Sequence, residues 1–330
     1  MLTLAALFNL CFVGQGSILG SFSLAIFGWL IGALGHDAGH FAASRRPWIN
    51  HLGLWGMSLL SNPILWQHQH TYAHHSHTNS FDHDPDLHHF HSLLRVHRRF
   101  KQQSIYKNQT NGLFVMFAYC FVVFGTCIWI PLGVLQEGTL YGLVEWTDRR
   151  RPFRAVGMLL HLLAYAVFIF VVPFWAHSSG LRALVASILH VATSGLIFAL
   201  FSQINHLNHA SLHTGTRIPD ESMASAKRYR FEQSTSWAAA QVETSNNFCP
   251  QSLVWHVLSN GLNYQIEHHL FPGINHCHLH HISPVVEATC HEFGVHYKSF
   301  ESWSDIMQET LLWLTQLAED GTLEGDQVDH

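Results

Sequence analysis

Ser17–Gly35 reads SILGSFSLAIFGWLIGALG, and His36-Asp37-Ala38-Gly39-His40 follows it without a break. The first part carries no charge and is long enough, as a helix, to span a hydrocarbon core of about 30 Å. The second part places two imidazoles four residues apart, on one helical face with Cβ atoms about 5–6 Å apart. A membrane crossing that ends in a pair of metal-competent side chains is the unit from which the rest of the chain is read.

The composition agrees. Of 330 residues 48% are hydrophobic and only 12% charged, against about 25% charged in an ordinary soluble domain. Histidine outnumbers lysine and arginine together, 29 to 17. Such an apolar chain is not disordered, and a net charge of −5 excludes a nucleic-acid binder. Six cysteines (Cys11, Cys120, Cys127, Cys249, Cys277 and Cys290) in so long a chain, none in a C-x-x-C pair, exclude a disulfide scaffold and read as free thiols.

Working outward, further apolar runs cover Met1–Leu34, Gly112–Leu135 and Ala155–Gln203, the last broken at His177–Arg182. The expected fold is all-α, an integral membrane helical bundle of one domain. Its crossings are expected over roughly 1–16, 17–35, 155–176 and 183–202. Basic residues cluster at Arg45-Arg46, Arg95–Lys107, Arg149–Arg154 and Lys227–Arg230, whereas the two short loops between paired crossings carry one arginine. The excess of positive charge places these basic segments in the cytoplasm. The run over 112–135 has cytoplasmic signals on both flanks and is therefore expected to re-enter or lie in the interface. The acidic tail, 318–330, is expected to be flexible. Trp29, Trp129, Trp146 and Trp175 suit an aromatic interface belt.

Three more histidine clusters lie on the inferred cytoplasmic side. His70-Thr71-Tyr72-Ala73-His74-His75 is followed by His77, Thr78 and Asn79; Gln203-Ile204-Asn205-His206 ends the last crossing; Gln265-Ile266-Glu267-His268-His269 precedes Leu270-Phe271-Pro272. In the second cluster an i, i+4 pair and an adjacent histidine can feed two metals from one short helix. Imidazole-rich, thiol-poor sites suit iron, copper, zinc or nickel. Eight imidazoles exceed the four ligands that one zinc takes, so two metals fit the count, and iron supplies useful oxygen chemistry beside a bilayer. His161 and His190 lie within crossings and read as neutral imidazoles facing the bundle; His83, His88, His89, His91, His276, His278, His280 and His281 read as solvated loop residues.

HDAGH, HTYAHH with its HTN, and QIEHHLFP resemble the three histidine boxes of the membrane fatty-acid desaturase family. Glutamine heading the third box resembles the front-end branch. Trp66, Asp84-Pro85-Asp86, Gln203–His206 and Asn260–Tyr264 extend the likeness over nearly the whole chain. The resemblance implies a cytoplasmic histidine-rich cap holding two irons, with His36, His40, His70, His74, His75, His206, His268 and His269 as ligands. Gln265 would sit beside the metal or act through water, and Asp37 and Glu267 would orient ligand rings.

The implied reaction takes one hydrogen from each of two neighbouring methylenes and leaves a cis double bond on the carboxyl side of an existing one. O2 and two donated electrons leave as two waters. No side chain beyond the metal ligands is expected to be catalytic. The substrate would be an acyl lipid, an acyl-CoA or a ceramide. The chain shows no cytochrome b5 motif, so electrons are expected from a separate cytochrome b5 with its reductase, or from ferredoxin. The expected place is the endoplasmic reticulum with the boxes cytoplasmic, or a plastid membrane. The alternatives are a sphingolipid long-chain-base desaturase, a lipid hydroxylase on the same irons, and a histidine-rich metal transporter. A transporter would place ionisable residues deep along a path, and only His161 and His190 do so.

Overall fold

The first crossing begins where a side chain can cap it. Ser17 accepts the Gly20 N–H at 2.9 Å, and α1 runs Ile18–Gly39 with His40 closing it. His36 thus rides the last turn of the crossing helix itself. In this computed structural model the described residues are 17–146, 152–212, 216–219, 229–232 and 236–319. The expected crossing over 1–16 lies outside them.

Behind α1 lies α2 (Pro47–Gly53), which tightens into a 3-10 stretch over Leu54–Leu59. Its backbone approaches α1 closely because glycines face each other. A Cβ on Gly35 would run into the Met57 nitrogen, and one on Gly56 would lie 2.7 Å from the Ile31 oxygen. Small residues at such crossings let the backbones of membrane helices meet. Asn62, whose side-chain oxygen Oδ1 accepts the Leu65 N–H at 3.3 Å, then starts α3 at Pro63. This helix is α-helical only to Trp66, widens to a π-helix over Gln67–His74, and ends in a turn at His75–His77.

α4 (Gly112–Glu137), α5 (Phe153–Ala176) and α6 (Gly180–Ser202) complete the set with α1: among the described residues these four helices are long and apolar enough to cross a membrane. The run over 112–135 is thus long enough to cross, but its winding is broken by a turn at Cys120 and Phe121 and widens over Gly125–Trp129. Gly138, at φ 76°, stops it, and the chain turns through the antiparallel hairpin β1 (Thr139–Leu140) and β2 (Val144–Glu145). Leu140 and Trp146 bury against Leu65, Ile130, Val134 and Met158, which pins the hairpin to α3, α4 and α5. His161 of α5 is fully engaged: its Nε2 lies 2.9 Å from the Ser58 carbonyl and its Nδ1 3.1 Å from the Asn62 amide nitrogen. That is the neutral, bundle-facing imidazole expected of it.

The chain divides into two compact units. One runs to Ser76 and takes in Asp82–Leu93 and Gly112–Leu200; the other comprises His77–Phe81, Leu94–Asn111 and the chain from Phe201 onward. The second unit holds the short helices α7 (Trp237–Glu243), α8 (Leu253–Leu258) and α9 (Gln265–Leu270), then α10 (Leu279–Glu292) and α11 (Trp303–Glu319). β3 (Thr216–Pro219) pairs antiparallel with β4 (Tyr229–Glu232), and β5 (Asn247–Phe248) parallel with β6 (Ser299–Phe300). A buried guanidinium holds α11 in place. Arg95 donates to the carbonyls of Phe100, Arg98 and Leu317 at 2.8, 2.8 and 2.9 Å, so a cation sits at the carboxyl end of a helix, where its dipole favours one. Ala318 and Glu319, at the start of the expected flexible tail, belong to α11; residues 320–330 lie outside the description.

Candidate metal centre

The widened turn of α3 does what a regular helix would not. A π-helix places residues i+4 and i+5 on either side of residue i. The rings of His74 and His75 accordingly lie 5.1 and 4.9 Å from that of His70, centroid to centroid. From α1, His36 and His40 approach the same ring at 5.4 and 5.3 Å, and His40 lies 4.4 Å from His75. One ring nitrogen each of His36, His40 and His70 fall within 4.8 Å of one another, as do His70, His74 and Asp86. All five histidines expected from the first two boxes are brought together in the first unit.

Two carboxylates orient this set. Asp84 Oδ2 lies 2.9 Å from His74 Nδ1, and Asp86 Oδ2 lies 3.1 Å from His70 Nδ1. Asp86 is held in turn by Gln69 at 3.0 Å and, through its own N–H, by Asp84 Oδ1 at 2.9 Å. With Nδ1 turned to a carboxylate, Nε2 is the nitrogen each ring has left for a metal. His70 Nε2 is buried there with no hydrogen-bond partner.

Charge separates the two rings. Burial disfavours the charged form of both, but His74 faces Asp84 and also Asp86 at 3.8 Å, and its pKa is raised to about 9. His70 has Asp86 alone at contact distance and His74 as a like charge; burial prevails and its pKa is lowered. His40 is lowered by burial, then by His36, His70 and His74. The Asp86 carboxyl is held below the usual range, because His74 and His70 overcome its burial. Negative charge that retains the second proton on His74 equally favours a divalent cation at Nε2, with release of that proton.

The second unit builds its own set. His206 follows α6, and its ring lies 4.5 Å from that of His269 on α9. Here the Nδ1 anchors are neutral: His206 on the Thr244 carbonyl at 2.9 Å, His269 on Gln241 Oε1 at 2.8 Å. Thr78 lies 3.2 Å from His269 Nδ1 and donates to Gln241 at 3.0 Å. Gln265 Nε2 lies 2.9 Å from His206 Nε2, so it donates to the lone pair a cation would take, and its own Oε1 is buried without a hydrogen-bond partner. His268 is buried beside His269.

Glu267, expected to hold a ligand ring, is taken instead by Tyr297 OH at 2.6 Å and Asn247 at 2.8 Å. Burial raises its pKa, and those two donors work against the rise. It anchors α9 to the strand and loop beside it. Asp37 is buried on α1 next to His36. The orienting groups of Asp84, Asp86, Gln241 and Thr244 were not singled out by sequence reasoning; only the Asp-Pro-Asp turn, shortly after the second box, carried a signal.

The donor set fits a divalent transition metal. Neutral nitrogen ligands with their second nitrogen tied down, in a buried pocket with local negative charge, are what such an ion needs. These features define a class: a helical membrane protein with histidine clusters able to bind metal. A profile of the fatty acid desaturase family matches residues 16–301, and the chain belongs to that family. It is 26% identical over 304 residues to the sn-1 linoleoyl-lipid 6-desaturase of Synechocystis sp., covering 91% of this chain and 79% of that one. It is 30% identical over 320 residues to the acyl-lipid (8-3)-desaturase of Physcomitrium patens, covering 90% and 60%, and 26% over 312 residues to the acyl-lipid (9-3)-desaturase of Borago officinalis, covering 90% and 64%. No solved structure matches. The chain is thus an oxidoreductase of the acyl-lipid desaturase kind, lodged in a membrane.

Proposed function

We propose that this chain is a front-end desaturase acting on polyunsaturated acyl chains, with two irons held by His36, His40, His70, His74, His75, His206, His268 and His269. The observation that carries the reading is the anchoring of four of those rings through Nδ1, to Asp86, Asp84, Thr244 and Gln241. That pattern leaves Nε2 of each ring as the nitrogen a cation would take, which supports the reading. The names of the relatives, which act on acyl lipids, support the substrate class.

Iron bound there supplies oxygen activation for removal of two hydrogens from adjacent methylenes. The protein's part is to fix the rings, exclude water, and set the depth of the chain. Gln265 stands at a ligand position of the third box, where its amide is a neutral and weak ligand. The electrons come from cytochrome b5 or ferredoxin, and the endoplasmic reticulum with cytoplasmic boxes is the expected setting.

Expression in yeast fed polyunsaturated acids, followed by lipid profiling, tests the reading. The expected product carries one additional cis double bond on the carboxyl side of those present, and its formation stops when the host's cytochrome b5 is deleted and no ferredoxin is supplied. A new hydroxyl in place of the double bond, or desaturation only toward the methyl end, would overturn it.

The topology follows by parity. If α4 re-enters, α5 leaves from the cytoplasm and α6 returns to it, so both histidine sets face one compartment. A cysteine replacing Glu145, an exposed residue just after α4, should then react with an impermeant maleimide from the cytoplasmic side of sealed microsomes. Reaction only after the lumen is opened would show that α4 crosses.

A further inference from the structure

Between Glu243 and Glu267 the chain carries no Asp, Glu, Lys or Arg, although it belongs to the second unit and not to a crossing helix. At the centre of this stretch is α8, Leu253–Leu258, started by Ser252, which accepts the Trp255 N–H at 3.3 Å. At 100° per residue Leu253, Val254, Val257 and Leu258 fall on one side. They are 76%, 66%, 55% and 47% exposed. Trp255 and His256 fall on the other side and are engaged: Trp255 stacks on Trp303 at 5.7 Å, and His256 Nδ1 lies 3.1 Å from Asn263 Oδ1.

The depth of α8 is set by the end of a crossing helix. Phe201 is the last residue but one of α6, and its ring lies 6.4 Å from that of Trp255. Asn205, just beyond, donates to the Phe201 carbonyl at 3.3 Å and to the Leu262 carbonyl at 2.9 Å. These contacts tie both ends of the 253–264 segment to the point where α6 leaves the bilayer. A turn with positive φ at Asn260 and Gly261 then ends the segment and leads into α9.

The geometry points to α8 as a membrane-dipping helix: its Leu253, Val254, Val257 and Leu258 face sits among lipid headgroups and upper acyl chains and fastens the second unit to the bilayer. An interfacial helix buries its apolar face about 5–10 Å into that boundary. Four adjacent aliphatic side chains left in water would be a liability, and an uncharged face offers nothing to a charged redox carrier. The continuity with α6 supplies the occupant.

The test uses the whole protein in lipid nanodiscs, with an environment-sensitive fluorescent amino acid at Val254 or Val257. Lipids brominated near the headgroup end of the chain should quench it as strongly as the same label at Val156, an outward-facing position near the start of α5. A label at exposed Glu292 of α10 should respond only to an aqueous quencher. A second measurement needs no variant: a lipid carrying a photoactivated carbene at the same depth should form adducts on the peptide containing 253–258 of the parent protein. Quenching from water at Val254 and Val257, or protection from both quenchers as a bound protein or second copy would give, overturns the proposal. So does the absence of adducts.

Discussion

Replacing His70 or His269 by alanine abolishes desaturation and lowers bound iron by about half, because each removes a buried nitrogen whose ring is already oriented for metal. The expectation follows from position: His70 lies among four other imidazoles with Nε2 buried and unpartnered, and His269 is held by both Gln241 and Thr78. Iron measured on purified protein, beside lipid profiles from cells, gives the readout. His280→Ala is the control, since His280 is exposed on α10 and belongs to neither cluster. Gln265→Ala and Gln265→His both lower activity yet keep most of the iron. Equal iron loss from Gln265→Ala and His269→Ala would make the glutamine a true ligand and refute the weaker role assigned to it. Full iron retention by His70→Ala would remove that residue from the metal set.

The second large effect belongs to a carboxylate outside the histidine set. Asp84 is fully buried and grips His74 Nδ1 at 2.9 Å while bracing Asp86 through its backbone. Removal of such an orienting carboxylate costs about 10–100-fold in metal affinity or activity. Asp84→Ala is expected to fall in that range, with iron lost quickly on challenge with a chelator. Asp84→Asn keeps an acceptor without the charge and should fall between the alanine variant and the parent. If Asp84→Ala folds and holds iron as tightly as the parent, the carboxylate is structural only.

The two effects also mark how far the residues alone could be read. Crossings and candidate ligands are composed of local signals: uncharged runs, and histidines at short spacings. α1, α5 and α6 accordingly begin and end within a turn or so of where hydropathy places them. The orienting groups are different, because their partners are chosen by the tertiary fold. Gln241 and Thr244 meet His269 and His206 across 28 and 38 positions of chain, and nothing near either histidine announces them. Glu267 shows the converse. It stands inside a histidine box, yet the contacts that decide its task come from Asn247 and Tyr297, 20 and 30 positions away.

The loosened winding of α3 has a consequence for how the second box can change over time. In a regular helix the neighbours of a residue on the next turn are i+3 and i+4; with about 4.4 residues per turn they become i+4 and i+5. The interval of three residues between His70 and the His74-His75 pair is therefore in phase with the helix that carries it. Losing one residue from that interval while relaxing to ordinary α winding would return both imidazoles to the same bearing. A one-residue deletion, which elsewhere in a helix would rotate everything beyond it, would be absorbed here by a change of pitch, leaving the direction of the rings as it is.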